Sequence, residues 1–230
     1  MAGIVKQITA WSLSRLQTYE ECPAKAKFSY IDKIPYVRGP AQIRGEAIHK
    51  MAEDFLLGRA RTLKSELKNY EAEFRLCKSA GKDPDAELMV EQQWGLTANW
   101  EPTSWFGKDT WCRVISDLVI FHDGHLKMVD HKTGKAYPKH HEQMDLYAIA
   151  GFHRFPLAET VSGEMWYLDH PQDTLPPLRL EFSRADLPRL EKAWERRAKP
   201  VLMDKRFAPR PGPACRWCDY QKGKGGPCRY

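Results

Sequence analysis

Residues 110–134, TWCRVISDLVIFHDGHLKMVDHKTG, contain two β-rich runs joined by Asp123-Gly124. A D-G pair between such runs is one of the strongest short-range hairpin signals, because a two-residue type I′ turn needs positive φ at both central positions. With Asp123 and Gly124 at the tip, His122 faces His125, and each outward step advances one residue on both strands. This register sets Asp117 opposite Asp130. Directly opposed residues have Cβ atoms roughly 4.5 to 5.5 Å apart on one side of the sheet. Lys132, two residues past Asp130, falls on the same side. Two carboxylates crowded there repel unless a cation neutralises them. The pattern calls for a metal ion between Asp117 and Asp130, with an ammonium group beside it.

Before the hairpin the chain reads as mostly helical. TAWSLSRLQTYEECP suits a short helix begun at Ser12 or Ser14 and stopped near Pro23, with Leu13, Leu16 and Tyr19 inward. In GPAQIRGEAIHKMAEDFLLG, the residues Ile43, Ala47, Ile48, Met51, Ala52 and Phe55 recur at helical spacing after Gly39-Pro40, and Gly58 ends the run. Residues 62–79 suit a third helix, and GKDPD a loop. ELMVEQQWGL suits a strand with Leu88, Val90, Gln92 and Trp94 on one face and Met89, Glu91 and Gln93 on the other. Beyond Gly134, PKHHEQMDLYAIAGFHRF places Met144, Ala148 and Phe152 at steps of four, the pattern of a helix packed on a sheet. ETVSGEMWYLDH and LRLEFS suit further strands, and SRADLPRLEKAWERRAKPVLM a last helix capped by Ser183 or Asp186. With no internal repeat or long linker, residues 1–230 read as a single α/β domain.

The chain is 42% hydrophobic and 29% charged, close to soluble averages, which excludes a disordered or fibrous class. Its 230 residues suffice for one large core. The formal net charge of +6 fits a polyanionic partner. Lys199, Lys205, Arg206, Arg210, Arg216, Lys222, Lys224 and Arg229 crowd the C-terminal segment against only Asp204 and Asp219. That segment reads equally well as a solvated basic tail or as a surface facing phosphates. No apolar run approaches the ~18 to 20 residues that span a bilayer, and MAGIVKQITAWSLSR lacks the apolar stretch and cleavage site of a secretory signal. The expectation is a cytoplasmic protein, in the host cytoplasm if the chain is viral, with no membrane partner. In a reducing cytosol Cys22, Cys77, Cys112, Cys215, Cys218 and Cys228 are not expected to pair as disulfides, which leaves metal binding for the clustered ones.

The ordered set SLSRLQTYEECP, RGEAIHK, SDLVIF, VDHKTGK, QMDLY and CRWCDY, followed by Cys228, resembles the RecB-like PD-(D/E)XK nuclease domain. That domain occurs also in AddAB helicase-nucleases and CRISPR-associated adaptation nucleases, and the resemblance runs from Ser12 to Cys228. It implies a restriction-endonuclease-like core, a central mixed β-sheet flanked by helices. It also implies a metal-dependent DNA nuclease, an exonuclease or end-processing enzyme of recombination or repair. The implied catalytic set is His49, Asp117, Asp130 and Lys132. Asp117 and Asp130 hold Mg²⁺ or Mn²⁺, hard cations suited to oxygen ligands, and His49, from R-G-x-x-x-H, adds an imidazole. Lys132 positions or helps deprotonate the attacking water. Gln143 and Tyr147, from Q-x-x-x-Y, share a helical face and are implied on the substrate side, while Arg44 is a candidate phosphate contact. Glu91 reads more simply as a solvated strand glutamate.

The same resemblance implies a 4Fe-4S cluster on Cys22, Cys215, Cys218 and Cys228, joining residues 12–30 to residues 205–230. Zinc is the alternative, since four thiolates bind either. Cys77 and Cys112 read as small buried hydrophobes, and His140 and His141 lack ligand spacing. The nucleotide-binding pattern G-x-x-x-x-G-K-[ST] is absent from the sequence, so any motor would come from a helicase partner. A single-strand-binding or annealing protein is the other expected partner. The rival reading is a non-catalytic DNA-binding or scaffold module of the same fold within a larger recombination complex, against which Asp117, Asp130 and Lys132 are all present.

Overall fold

A computed structural model describes residues 7–230, and the part of the leader reading that rests on residues 1–6 lies outside them. The centre is a six-stranded sheet in the order β2-β1-β3-β4-β5-β6, formed by Ala86–Leu96 (β1), Pro102–Thr103 (β2), Cys112–His122 (β3), His125–Lys132 (β4), Thr160–Tyr167 (β5) and Leu178–Ser183 (β6). Every pairing is antiparallel except β4 with β5. A parallel pair needs a crossover, which here is the helix His141–Arg154 (α5). The sheet is therefore mixed and flanked by helices, as expected.

The hairpin forms as its sequence demands. Asp123 and Gly124 take φ of 46° and 71°, and His122 pairs with His125. The paired register then runs to Leu118–Val129 and stops one step short of Asp117 and Asp130.

Alternation along β3 and β4 splits the apolar side chains between two cores. On one face Val119, Leu126 and Met128 meet α5, the helix Leu13–Glu21 (α1) and the helix Leu187–Met203 (α6). On the other, Leu118, Ile120 and Val129 meet the helices Pro40–Leu56 (α3) and Glu71–Ala80 (α4). Burial at roughly 25 cal/mol per Å² of apolar surface drives both layers. The close approach of α5 to the sheet depends on Gly163, where a Cβ would stand 2.7 Å from the Met144 sulfur.

Two helices differ from their expected bounds. Cys22 is extended, with φ of −159°, and ends α1, but Pro23 at the first helical position starts a second short helix, Pro23–Ala26 (α2), continued by a wide turn over Lys27–Ile31. Proline suits that position because its missing N–H would have no partner there. Residues 62–79 do not form one helix. A 3₁₀ segment over Ser65–Tyr70 buries Leu67 and Tyr70, which eclipse at a spacing of three, and α4 follows. Near the ends of the chain, Trp11 stacks on Trp194 of α6 with centroids 5.7 Å apart, and Arg197 of α6 forms a two-pronged ion pair with Glu20 of α1. These contacts bring the N-terminal helices against the C-terminal one. No helix among the described residues is long and apolar enough to cross a membrane.

Candidate active site

The open end of the hairpin is where the site is built. Where the ladder stops, the His131 N–H is left without a strand partner, and it donates to Asp117 Oδ2 at 2.6 Å. That bond turns the Asp117 carboxylate toward α3, where His49 Nδ1 lies 3.2 Å from Oδ1. On β1 the residue that the register would set against Asp117 is Glu91, between the pairs Val90–Leu118 and Gln92–Ser116. Glu91 has φ of 52° and makes no ladder pair. A non-glycine residue in the left-handed region is costly, and here the turn aims its carboxylate out of the strand. As a result, ligand atoms of His49, Glu91 and Asp117 all lie within 4.8 Å of one another. Glycine in R-G-x-x-x-H has a local cause too. A Cβ on Gly45 would sit 3.3 Å from Thr133 Oγ1, directly after Lys132.

Asp130 is held from the opposite side. Its Oδ1 accepts from Gln143 Nε2 at 2.5 Å and from the Tyr147 hydroxyl at 3.1 Å, while Lys132 Nζ stands 2.6 Å from Oδ2. Lys132 also donates to Gln143 Oε1 at 3.2 Å. Gln143 and Tyr147, one turn apart on α5, thus hold the carboxylate and the ammonium in one network. Asp130 is not in the group formed by His49, Glu91 and Asp117. Parting of the strands sends the two aspartates to different neighbours. Glu91, read from sequence as a solvated glutamate, takes the third place in that group. Its signal was hidden, because the loop between β1 and β3 has no turn from which a register can be counted.

The electrostatics favour a cation. Burial opposes charge on His49, yet the hydrogen bond and charge of Asp117, backed by Asp130 and Glu91, raise its pKa to about 9. Desolvation of its carboxyl, then the charge of Asp117, pushes Glu91 up to about 7. Burial also works against ionised Asp117, but His49 and His131 hold it below the usual carboxylate range. Lys132 is half-buried, and against that desolvation Asp130 keeps it above the ordinary lysine value. The proton on His49 stands where a metal would neutralise the same carboxylates, and a bound metal would displace it. Behind them His131 is fully buried among Phe74 and Trp166, and burial lowers its pKa to about 4. Buried Asp130 Oδ2 meets only the Lys132 ammonium, at 2.6 Å, which leaves it acceptor capacity for a cation. Hard oxygens with one imidazole fit Mg²⁺ or Mn²⁺.

Arg44 is engaged elsewhere. It forms a two-pronged bond to Asp169, at 2.9 and 2.7 Å, and Asp169 also accepts from Gly134 N at 2.7 Å. A phosphate at Arg44 would have to compete with that carboxylate. His140 stacks on Tyr167 with centroids 5.7 Å apart, and Cys77 and Cys112 are buried.

A model of the PD-(D/E)XK nuclease superfamily matches residues 10–222. The chain belongs to the PD-(D/E)XK nuclease superfamily. Membership makes it a hydrolase of nucleic acid, in a superfamily whose members act with divalent metals, and the His49–Glu91–Asp117 group supplies ligands of that kind. No curated protein matches this PD-(D/E)XK chain. Among solved structures, one described as "Crystal structure of SSO0001" is similar at 18% identity and a TM-score of 0.49, covering 94% of this chain and 85% of that one.

Cys22, Cys215, Cys218 and Cys228 line one cavity, although no three thiols among the described residues come within 4.8 Å of one another. Backbone N–H groups of Arg210 and Gly212 reach the sulfurs of Cys22 and Cys215, each at 3.4 Å.

Proposed function

We propose that the protein is a Mg²⁺- or Mn²⁺-dependent deoxyribonuclease that hydrolyses phosphodiester bonds at or near DNA ends during recombination or repair. The observation that carries this reading is the convergence of His49, Glu91 and Asp117 ligand atoms within 4.8 Å, beside a lysine-bound aspartate. In this reading His49, Glu91 and Asp117 hold the cation and Asp130 is the next carboxylate toward it. When bound, the ion polarises the phosphate and eases loss of the leaving oxygen. Lys132 has three N–H donors, and with two directed at Asp130 and Gln143 the third is left to orient water or a phosphate oxygen. Gln143 and Tyr147 keep Asp130 and Lys132 in place. A helicase or an annealing protein is the partner this role calls for.

The four-cysteine cavity is part of the proposal. Zn–S bonds of about 2.3 Å would set four sulfurs roughly 3.8 Å apart. The N–H groups aimed at two of the sulfurs suit an anionic group held by the thiolates, a 4Fe-4S cluster, with zinc as the alternative. Cys22 would then tie residues 12–30 to residues 205–230 through Cys215, Cys218 and Cys228.

Digestion of end-labelled linear DNA and of closed circular DNA, with Mg²⁺ and Mn²⁺ in turn, tests the function. The expected result is metal-dependent loss of the linear substrate with the circle spared. Equal cutting of the circle would replace end processing with internal cleavage, and no cutting of either with any divalent metal would remove the nuclease reading.

A further inference from the structure

A cavity of about 420 Å³ opens on the Lys132, Gln143 and Tyr147 side of the site. Its far wall carries Arg15, Arg113, Trp105 and Phe106, none of which the carboxylate site uses. The two arginines are not neutralised. Arg15 donates to the Ala10 carbonyl and Arg113 to the Trp105 carbonyl, both at 2.9 Å, and neither forms an ion pair among the described residues. Burial, and then the charge of Arg113, pull the Arg15 pKa below its usual value, so the two guanidinium groups feel each other. Like charges held together without a counterion make an anion site, and guanidinium groups match phosphate oxygens geometrically.

The aromatic pair is presented on a tied loop. Thr103 Oγ1 donates to Asp109 at 2.8 Å, Thr110 Oγ1 donates to the Ser104 carbonyl at 2.8 Å, and Gly107 N closes a turn on Ser104 at 3.1 Å. The Arg113 guanidinium lies over the Trp105 ring, 5.4 Å from its centroid, and fixes it. Phe106 stands at 84° to Trp105 and is 84% exposed. A phenyl ring held this far into solvent gains little from folding, and fixing it in advance lowers the ordering cost of a partner that stacks on it.

Resting on the nuclease reading, we infer that this cavity is a subsite for unpaired DNA: Phe106 and Trp105 stack a base, and Arg15 and Arg113 hold its phosphate, next to the scissile bond at Lys132. Bases inside a duplex have both faces covered, whereas each base of a single strand or frayed end can present a π-face to Phe106 with its phosphate free to reach the arginines. Lys132 and Gln143 line this cavity and bind Asp130, so a strand held here passes beside the Asp130 network.

The test is fluorescence anisotropy in EDTA, where no cleavage occurs, with labelled oligothymidylate and an abasic oligomer of equal length and charge. Wild type is expected to bind oligothymidylate more tightly than the abasic strand. Phe106→Ala should weaken oligothymidylate binding about tenfold, within the range for loss of one stacked base, and leave abasic binding within about twofold. Arg15→Ala should weaken both and flatten the log–log salt slope by about 0.7, the value for one phosphate contact on a single strand. Unchanged oligothymidylate binding by Phe106→Ala, or equal binding of the two strands by wild type, overturns the subsite. The nuclease reading is scored separately by Mg²⁺ or Mn²⁺ cleavage in wild type. Stacking without cleavage leaves the subsite and removes the nuclease; cleavage with no effect of Phe106 does the reverse.

Discussion

An Asp130→Asn variant is expected to lose divalent-cation-dependent cleavage by about 10³-fold, the upper end of what removing one preorganised electrostatic group costs, while keeping its fold. Asparagine preserves the shape, and its carbonyl can accept the bonds that Gln143 and Tyr147 now give to Oδ1. What disappears is one negative charge beside Lys132 and the His49–Glu91–Asp117 group. The isosteric change matters because truncation to alanine would also remove the acceptor of Gln143 and Tyr147, and a loss of activity could then come from unfolding. Circular dichroism should match wild type, and stability should fall by about 1 to 3 kcal/mol, because the amide NH2 replaces Oδ2 against Lys132 while the bonds at Oδ1 survive. Cleavage at the wild-type rate by folded Asp130→Asn would remove this residue from the chemistry.

Cys218→Ala is expected to produce the second large change, complete loss of the broad visible absorption that anaerobically purified wild-type protein should show. Cys218 sits in a cavity shared with Cys22, Cys215 and Cys228, and a 4Fe-4S cluster short of one thiolate is exposed to solvent and loss. The mechanical consequence is local. The segment after Arg206 carries little apolar burial apart from Phe207 and Tyr220, so without the cross-link it should become the first part cut by protease. The sheet, built from Ala86 to Ser183, has its own two cores and should persist. Colourless wild-type protein carrying one equivalent of zinc would replace the cluster with the alternative metal.

The hairpin was legible because everything that fixes it is local. Asp123-Gly124 sets the turn, the turn sets the register, and the register runs as counted through Leu118–Val129. The step beyond was not legible, because the parting of the strands depends on Asp117 finding the His131 N–H and His49, groups brought from β4 and α3. Counting residues places both aspartates at one level but does not say that their carboxylates turn to different helices. Glu91 was missed for a related reason. A period of two assigns it to one strand face, and the positive φ that redirects it has no sequence mark such as glycine. Gln143 and Tyr147 came from the resemblance, as substrate-side residues, and their spacing of four puts them on one helical face; that both bind Asp130 depends on the packing of α5 against β4, which no spacing shows. Arg15, Arg113 and Trp105 meet through three separate segments, and no spacing rule connects them.

The account stands on a cation held by His49, Glu91 and Asp117, and the most direct measurement is Mn²⁺ binding followed by electron paramagnetic resonance in wild type and Asp117→Asn. Wild type should bind one Mn²⁺ at a site that Mg²⁺ competes for, and the variant should bind at least about tenfold more weakly, roughly 1.4 kcal/mol for a lost charged ligand. Equal Mn²⁺ binding by the two proteins would contradict it.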